Sequence, residues 1–364
     1  MEENKRTCLY DKHLALGALM SPFGGFDMPI QYSGIVDEHQ SVRNDCGIFD
    51  VSHMGEVLIT GEDAEKFVNY IFTNDIKDAP NGKIFYGLML YPTGGAVDDL
   101  LVYKVDTNKF FLVINAANID KDIEWIRSHK DGFDVNIQDQ CDYYGEVAVQ
   151  GPNAEKYIEE FLDLKIADLE FYTFKEIQVG EEIIIVSRTG YTGEDGFELY
   201  GSHKFINDAW GKLIDSGKVK PCGLGCRDTL RFEVGLPLYG DELSAEITPI
   251  EACLGIFVKL DKDDFIGKDA IKKQKEEGAP RKLVGIELAD KAIPRHGYEV
   301  LSGDTVIGYV TTGYHCISVD KSVALALIDS SYAKMGNPVK IHIRKKFFDG
   351  TIVGRHFYKK SYKK

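Results

Sequence analysis

The sequence predicts an α+β protein made of two related strand-and-helix halves followed by a tail of antiparallel strands. Three observations carry this. First, Gly55–Val68 recurs as Gly145–Ile158, identical at seven of fourteen positions, with Ile/Val, Asp/Asn, Phe/Tyr and Val/Ile among the differences. Second, a meander of three strands lies between the copies. Third, beyond residue 282 the pattern is all strand and turn. Each copy of the repeat reads as a short strand, a glycine turn and a helix, and Pro152 suits the first turn of the second helix. Two copies are too few for a solenoid, so they imply two interleaved, pseudo-symmetric halves.

In chain order, residues 8–50 mix helical and irregular signals, with Pro22–Pro29 as a rigid, turn-rich segment. Phe49-Asp-Val-Ser-His-Met-Gly-Glu56 follows, and a lone His53 beside Met54 reads by type as a packed side chain. Strands are predicted near Phe85–Tyr91, Val97–Val105 and Phe110–Ile114, then a helix over Ile119–Lys130 through Ile123, Trp125 and Ile126. After the second repeat, a strand over Glu182–Ser187 leads into Arg188–Tyr200, a hairpin-like loop dense in glycine, aromatic and acidic residues. Leu230–Leu236 reads as a helix ending near Pro237, with Arg227 at or just inside its start. A cation there opposes the helix dipole and points to an anionic partner. Lys268–Lys282 is a charged helix closed by Gly278 and Pro280, the best domain boundary. It separates residues 1–278 from a C-terminal domain, 279–364. Strands at Leu283–Leu288, Tyr298–Leu301, Val306–Thr311, Val323–Ile328 and Val339–Ile343 then predict a small antiparallel barrel or sandwich.

The 364 residues, 44% hydrophobic and 28% charged, suit a globular protein of two or three domains. No apolar run approaches membrane-spanning length and the N-terminus has no signal-peptide pattern, so a cytoplasmic protein without membrane association is expected. Seven scattered cysteines imply reduced thiols. Cys222 and Cys226 have no second pair to complete a metal site, so no metal is expected. Cys222–Asp228 lacks the third glycine of a dinucleotide fingerprint. The net charge of −15 argues against nucleic acid, yet residues 340–364 hold nine Lys/Arg against one acid. That reads as a solvated basic tail or a docking surface for an acidic partner.

The chemistry-bearing stretch is Thr93–Lys104, a glycine turn feeding an apolar strand that contains Asp98 and Asp99. Strict alternation groups Asp98 with Ala96, Leu100 and Val102, and Asp99 with Val97, Leu101 and Tyr103. Both faces are apolar, so each carboxylate must be hydrogen-bonded, paired or set in a cleft. By residue type alone, satisfaction of neighbouring backbone groups and a functional carboxylate both remain open. Glu198, between Phe197 and Leu199, is likewise out of place for an idle acid.

Phe49–Gly55, Gly94–Leu100, Asn115–Asn118, Gln150–Pro152, Ser187–Glu198 and Gly223–Asp228 together resemble the aminomethyltransferase, or T-protein, of the glycine cleavage system, over nearly the whole chain. The resemblance implies a three-domain, cloverleaf-like arrangement around a tetrahydrofolate pocket. It implies Asp99 as the essential carboxylate, Glu198 as the acid that grips the pterin, and Arg227 as a folate contact. A carboxylate suits the paired N–H donors of a pterin edge. Tyr86, Tyr103, Tyr172 and Tyr191 fall at contact positions, Met54 and Asn115 at the wall, and Tyr362 where it would close on the folate tail.

The implied reaction moves the methylene carbon from the aminomethyl adduct on the lipoyl arm of H-protein to tetrahydrofolate as co-substrate. Ammonia is released, with a functional link to P-protein and L-protein. The sequence departs from the family pattern at Phe26 and over Tyr314–Ser318. Two rivals are a folate-dependent demethylase and a non-enzymatic folate-binding factor for iron-sulfur assembly. The first lacks a flavin domain here. The second lacks its Lys-Gly-Cys motif, Phe265–Asp269 standing instead.

Overall fold

The repeated segments fold as predicted, each as a strand followed by a helix. In this computed structural model, which describes residues 4–359, the first copy gives strand Gly55–Thr60 and helix Ala64–Ile71. The second gives Tyr144–Gln150 and Ala154–Leu162. In each half the repeat strand adds to the third strand of a meander. The first sheet runs Ile84–Leu90, Ala96–Asp106, Lys109–Ile114, Gly55–Thr60 and Asn136–Asp139. The second runs Phe174–Val179, Glu182–Ser187, Gly196–Ser202, Tyr144–Gln150, Gly47–Asp50 and Lys220–Pro221. Gly47–Asp50, which precedes the first repeat in sequence, sits in the second sheet beside the second repeat, so the halves are interleaved.

Matching hydrogen bonds join the halves: the Ile84 amide donates to the Tyr172 carbonyl at 3.0 Å, and the Phe174 amide to the Gly82 carbonyl at 2.9 Å. Each sheet packs its outer face on its own helices, Val57, Phe67, Val102 and Leu112 in the first and Val147, Ile158, Val186 and Leu199 in the second. The inner faces meet through Tyr103, Phe111, Val113, Ile185 and Tyr200. Burial of these large side chains, each contributing about 1.5–3 kcal/mol, fixes one sheet against the other.

Arg281–Leu288, Glu299–Ser302, Thr305–Cys316, Lys321–Asp329, Pro338–Ile343 and Lys346–Val353 close into a six-stranded antiparallel barrel. The strand predicted at Val339–Ile343 is found as Pro338–Ile343, and the last strand, Lys346–Val353, corrects the reading of that part of residues 340–364 as a solvated basic tail. Along Lys346–Val353 only Gly350 and Ile352 are fully buried, so charge hid its alternation. The departing segment Tyr314–Ser318 ties the barrel to the first two domains. The Ser318 amide donates to Glu233 at 2.8 Å, its hydroxyl lies 2.9 Å from His39 Nε2, and the Tyr314 hydroxyl bonds Asp228.

Two further corrections concern local structure. Pro22–Pro29 lies within a hairpin, Leu19–Phe23 against Phe26–Gln31, whose two-residue turn is Gly24-Gly25 with φ of +57° and +84°. Glycine takes the positive φ of such a primed turn most freely. In the aspartate strand, Leu90 pairs with Ala96 and Met89 with Asp98, leaving Val97 in a bulge. The bulge turns Val97 to the same core as Leu100 and Val102, against strict alternation. Among the described residues, no helix is long and apolar enough to cross a membrane.

Candidate active site

A cavity of about 660 Å³ opens between the inner faces of the two sheets, helix Leu224–Glu233 and the segment Arg355-His356 that follows the C-terminal domain's last strand. That volume suits a drug-sized ligand. The first sheet supplies Tyr86, Asp99 and Asn115, and the second supplies Glu146, Glu198 and Tyr200. Met54, Tyr172, Tyr191 and Arg227 complete the lining among the residues picked from sequence. Tyr103 is the exception. It is fully buried behind the wall, its hydroxyl 2.9 Å from that of Tyr200 and donating to Ser187 at 3.2 Å, so it supports the cavity rather than facing it. Tyr362 lies outside the described residues.

The two aspartates have separate tasks. Asp98 is sealed: it accepts from the Asn115 amide at 3.0 Å, the Asn115 side chain at 2.9 Å and the Asn118 side chain at 2.7 Å. Asn115, Asn118 and the buried Asp122 follow one another along a single face of the turn and helix beside it. Asp99 faces the cavity, accepting from the Tyr86 hydroxyl at 2.9 Å and Asn115 Nδ2 at 3.1 Å. Desolvation, then repulsion from Asp98, pushes the Asp99 carboxyl up to about 7, against the lowering effect of those hydrogen bonds. Asp98 thus serves as the satisfied structural acid that the residue type suggested, and Asp99 as the acid in the cleft.

The second sheet and helix Leu224–Glu233 build a different polar wall. Glu198 is buried and accepts from the Thr189 hydroxyl at 2.5 Å; desolvation raises it, while Arg227 and Thr189 lower it. The Arg227 guanidinium lies over the Tyr191 ring, 5.0 Å from its centroid, and its Nη1 is buried without a hydrogen-bond partner. The Tyr191 hydroxyl is fixed to the Pro237 carbonyl. Tyr172 sits at φ +59°, a left-handed conformation that costs a non-glycine residue energy and is here held by the crossing between the halves. The loop acids are not solvated. Glu194 pairs with Arg43 at 3.0 Å, and Asp195 pairs bidentately with Arg188.

Sequence reading missed several lining groups. His53 is buried with Nδ1 unpartnered, and desolvation lowers it to about 4. Glu146, a repeat position, also lines the cavity. So do Arg231, which binds Glu242 at 2.8 Å and Thr312 of the barrel at 3.3 Å, and Arg355 with His356. Only the alternation of the second repeat, which sets Glu146 on the face of Ala148, could have signalled one of them. Cys222 and Cys226 gather with Glu38, but the Glu38 oxygens already accept backbone amides of Tyr32, Gly34 and Gly223.

Residues 9–262 match the GCVT N-terminal domain, and residues 281–359 match the glycine cleavage T-protein C-terminal barrel domain. The chain belongs to the glycine cleavage T-protein family. Relatives in this family include the aminomethyltransferase of Alkaliphilus oremlandii, 49% identical with both chains fully covered. That of Lysinibacillus sphaericus is 50% identical over 99% of each chain. The crystal structure of glycine cleavage system aminomethyltransferase T from Bartonella henselae superposes over both whole chains with a TM-score of 0.95 at 29% identity. The chain is therefore an enzyme, an aminomethyltransferase by family, with the family's mixed α/β architecture and C-terminal barrel.

Proposed function

We propose that this enzyme transfers the methylene carbon of an aminomethyl group, carried on the dihydrolipoyl arm of H-protein, to tetrahydrofolate, releasing ammonia. One observation carries the reading: Asp99, the cavity-lining carboxylate of the first sheet, oriented by Tyr86 and Asn115, shares its cavity with the acid-and-arginine wall of Glu198 and Arg227. The unpartnered Arg227 Nη1 and the buried Glu198 carboxylate fit the mixed acceptor and donor edge of a pterin. Residues 1–278 would supply most of the folate contacts, with Arg355 and His356 of the C-terminal domain at one side of the cavity, and P-protein and L-protein would be functional neighbours.

Positive charge develops on the methylene carbon and the accepting nitrogen during transfer. Ionised Asp99 stabilises that charge across a low-dielectric cavity, and its hydrogen bonds to Tyr86 and Asn115 fix its direction beforehand. The raised proton affinity also equips Asp99 to take a proton from the accepting nitrogen near neutral pH. Tyr172, Tyr191 and Met54 supply apolar and aromatic surface against a planar ring. The test is methylene transfer from aminomethylated H-protein to tetrahydrofolate, with folate binding measured by calorimetry. Turnover in wild type, with retained binding and lost rate in Asp99→Asn, supports the reading. Folate binding without any transfer in wild type would overturn it in favour of a demethylase or a folate-binding factor.

A further inference from the structure

Glu146 belongs to the repeat and none of the steps above uses it. It pairs in register with Tyr200, and Glu198 pairs with Ala148, so Glu146 and Glu198 are diagonal neighbours on one face of adjacent strands. Diagonal positions on such a face are within reach of long side chains. Both line the cavity, Glu146 is 2% exposed, and its Oε2 has no hydrogen-bond partner. Buried carboxyl oxygens are rarely left so, and one that lines a ligand-sized cavity marks a missing ligand contact. Arg227 Nη1 and His53 Nδ1 are two further such atoms in the same lining.

We propose that Glu146 is a second ligand-binding carboxyl of this enzyme, acting in its neutral form and donating an O–H hydrogen bond to an acceptor atom of the pterin ring beside the N–H pair taken by Glu198. This assignment rests on the folate reading. Its physical basis is the local charge count. The titratable and charged groups acting on Glu146 are Glu198 and Tyr200 on the neighbouring strand, Arg227 on the helix, Asp50 on the strand at its other side, and Glu56 and Tyr103 on the opposing sheet. One cation, with Asp50 and Glu56 as two further carboxyls nearby, cannot neutralise two adjacent buried carboxylates, so one of the pair keeps its proton. Desolvation, then repulsion from Glu198, raises Glu146 well above the ordinary carboxyl range even with Arg227 and Tyr200 pulling it down, while Glu198 is raised less, with Arg227 and Thr189 pulling it down and no neighbouring carboxylate pushing it up. Glu198 is therefore the acceptor and Glu146 the donor. Together with Arg227 Nη1 they present one acceptor and two donors, the complement of a pyrimidinone edge with its paired N–H groups, carbonyl and ring nitrogen.

Calorimetric binding of tetrahydrofolate to full-length Glu146→Gln and Glu146→Ala, with melting curves for each, tests the assignment. Glutamine keeps a donor in the same volume and should bind within about two-fold of wild type. Alanine should bind roughly ten-fold more weakly, the loss of one buried hydrogen bond. Wild-type affinity should fall at the alkaline end of the pH range as Glu146 ionises, and the glutamine variant should not show that limb. Alanine binding as tightly as wild type would overturn the proposal, as would a glutamine variant as weak as alanine or a shared alkaline limb. Should alanine fail to fold, the pH comparison between wild type and glutamine decides. Absence of binding by wild type would instead overturn the folate reading, and this assignment with it.

Discussion

The two halves share one strand order and one repeat, yet each carries a cavity-lining acid at a position where the other has a hydrophobe. Pairing registers make this explicit. Glu56 faces Val113 as Glu146 faces Tyr200, and Leu101 faces Val113 as Ile185 faces Tyr200. Counting along the strands sets Asp99 against Ile183 and Glu198 against Phe111. The duplicated scaffold therefore supplies two opposed inner faces, and single replacements on each turn a hydrophobic interface into a cavity with a carboxylate from either side. The glutamates kept in both halves also differ. Glu146 lines the cavity, whereas Glu56 lies outside its lining with both oxygens buried and unpartnered, raised by desolvation and then by Glu146.

If the acids are divided this way, the largest effect should come from Asp99→Asn, with transfer slowed roughly 100-fold or more and folate affinity nearly unchanged, as for loss of a preorganised charge. A comparable loss of affinity with unchanged rate would place Asp99 in binding instead. Glu198→Gln should show the converse: calorimetry should find folate bound about 10- to 100-fold more weakly, the range for a hydrogen bond to a charged group. Glu56→Gln sharpens the contrast between the repeats. It relieves a buried, repelled carboxyl away from the lining, so melting should shift upward while steady-state rate and affinity stay within about two-fold.

Asp99 also sets a pH dependence of stability. Its folded proton affinity is raised to about 7 from an unfolded value of about 3.9. Between these values the folded state holds a proton that the unfolded state has released, so its contribution is fully present below the lower value and is lost as pH rises through the upper one. Denaturant titrations of wild type and Asp99→Asn should thus diverge between pH 4 and 7, with the variant relatively more stable above 7. Equal slopes across that window would contradict the assignment. The smallest effect concerns the barrel hairpin. Reversing the exposed Lys345 and Lys346 should raise the apparent KM for H-protein at low salt without changing folate affinity, and an unchanged KM would remove this hairpin from docking. Arg355 lines the cavity, so its reversal should instead weaken folate binding.

Much of this was legible because the repeat, the meander and the strand-rich tail are local patterns. The last barrel strand was not, since Lys346–Val353 buries few side chains, and neither was the bulge at Val97, which depends on pairing with Met89 and Leu90. The same holds for the site. Asp99 and Glu198 stood out as acids within apolar strands, but alternation alone could not decide which aspartate was satisfied. That depended on Asn115 and Asn118, some twenty residues away. Tyr103 shares a face with Asp99, yet opposing rings of the second sheet cover it. His53 and Glu146 look ordinary in sequence, and their missing partners become apparent only when the sheets are set face to face.

The most direct test of the account is the pH profile of single-turnover methylene transfer in wild type and Asp99→Asn, with folate and H-protein saturating. The wild-type rate should rise with pH through a limb near 7 as Asp99 ionises, and the variant should be slow and lack that limb. An undiminished rate in the variant, or the same limb in both proteins, would contradict the claim that a desolvated carboxylate on the first sheet stabilises the transfer.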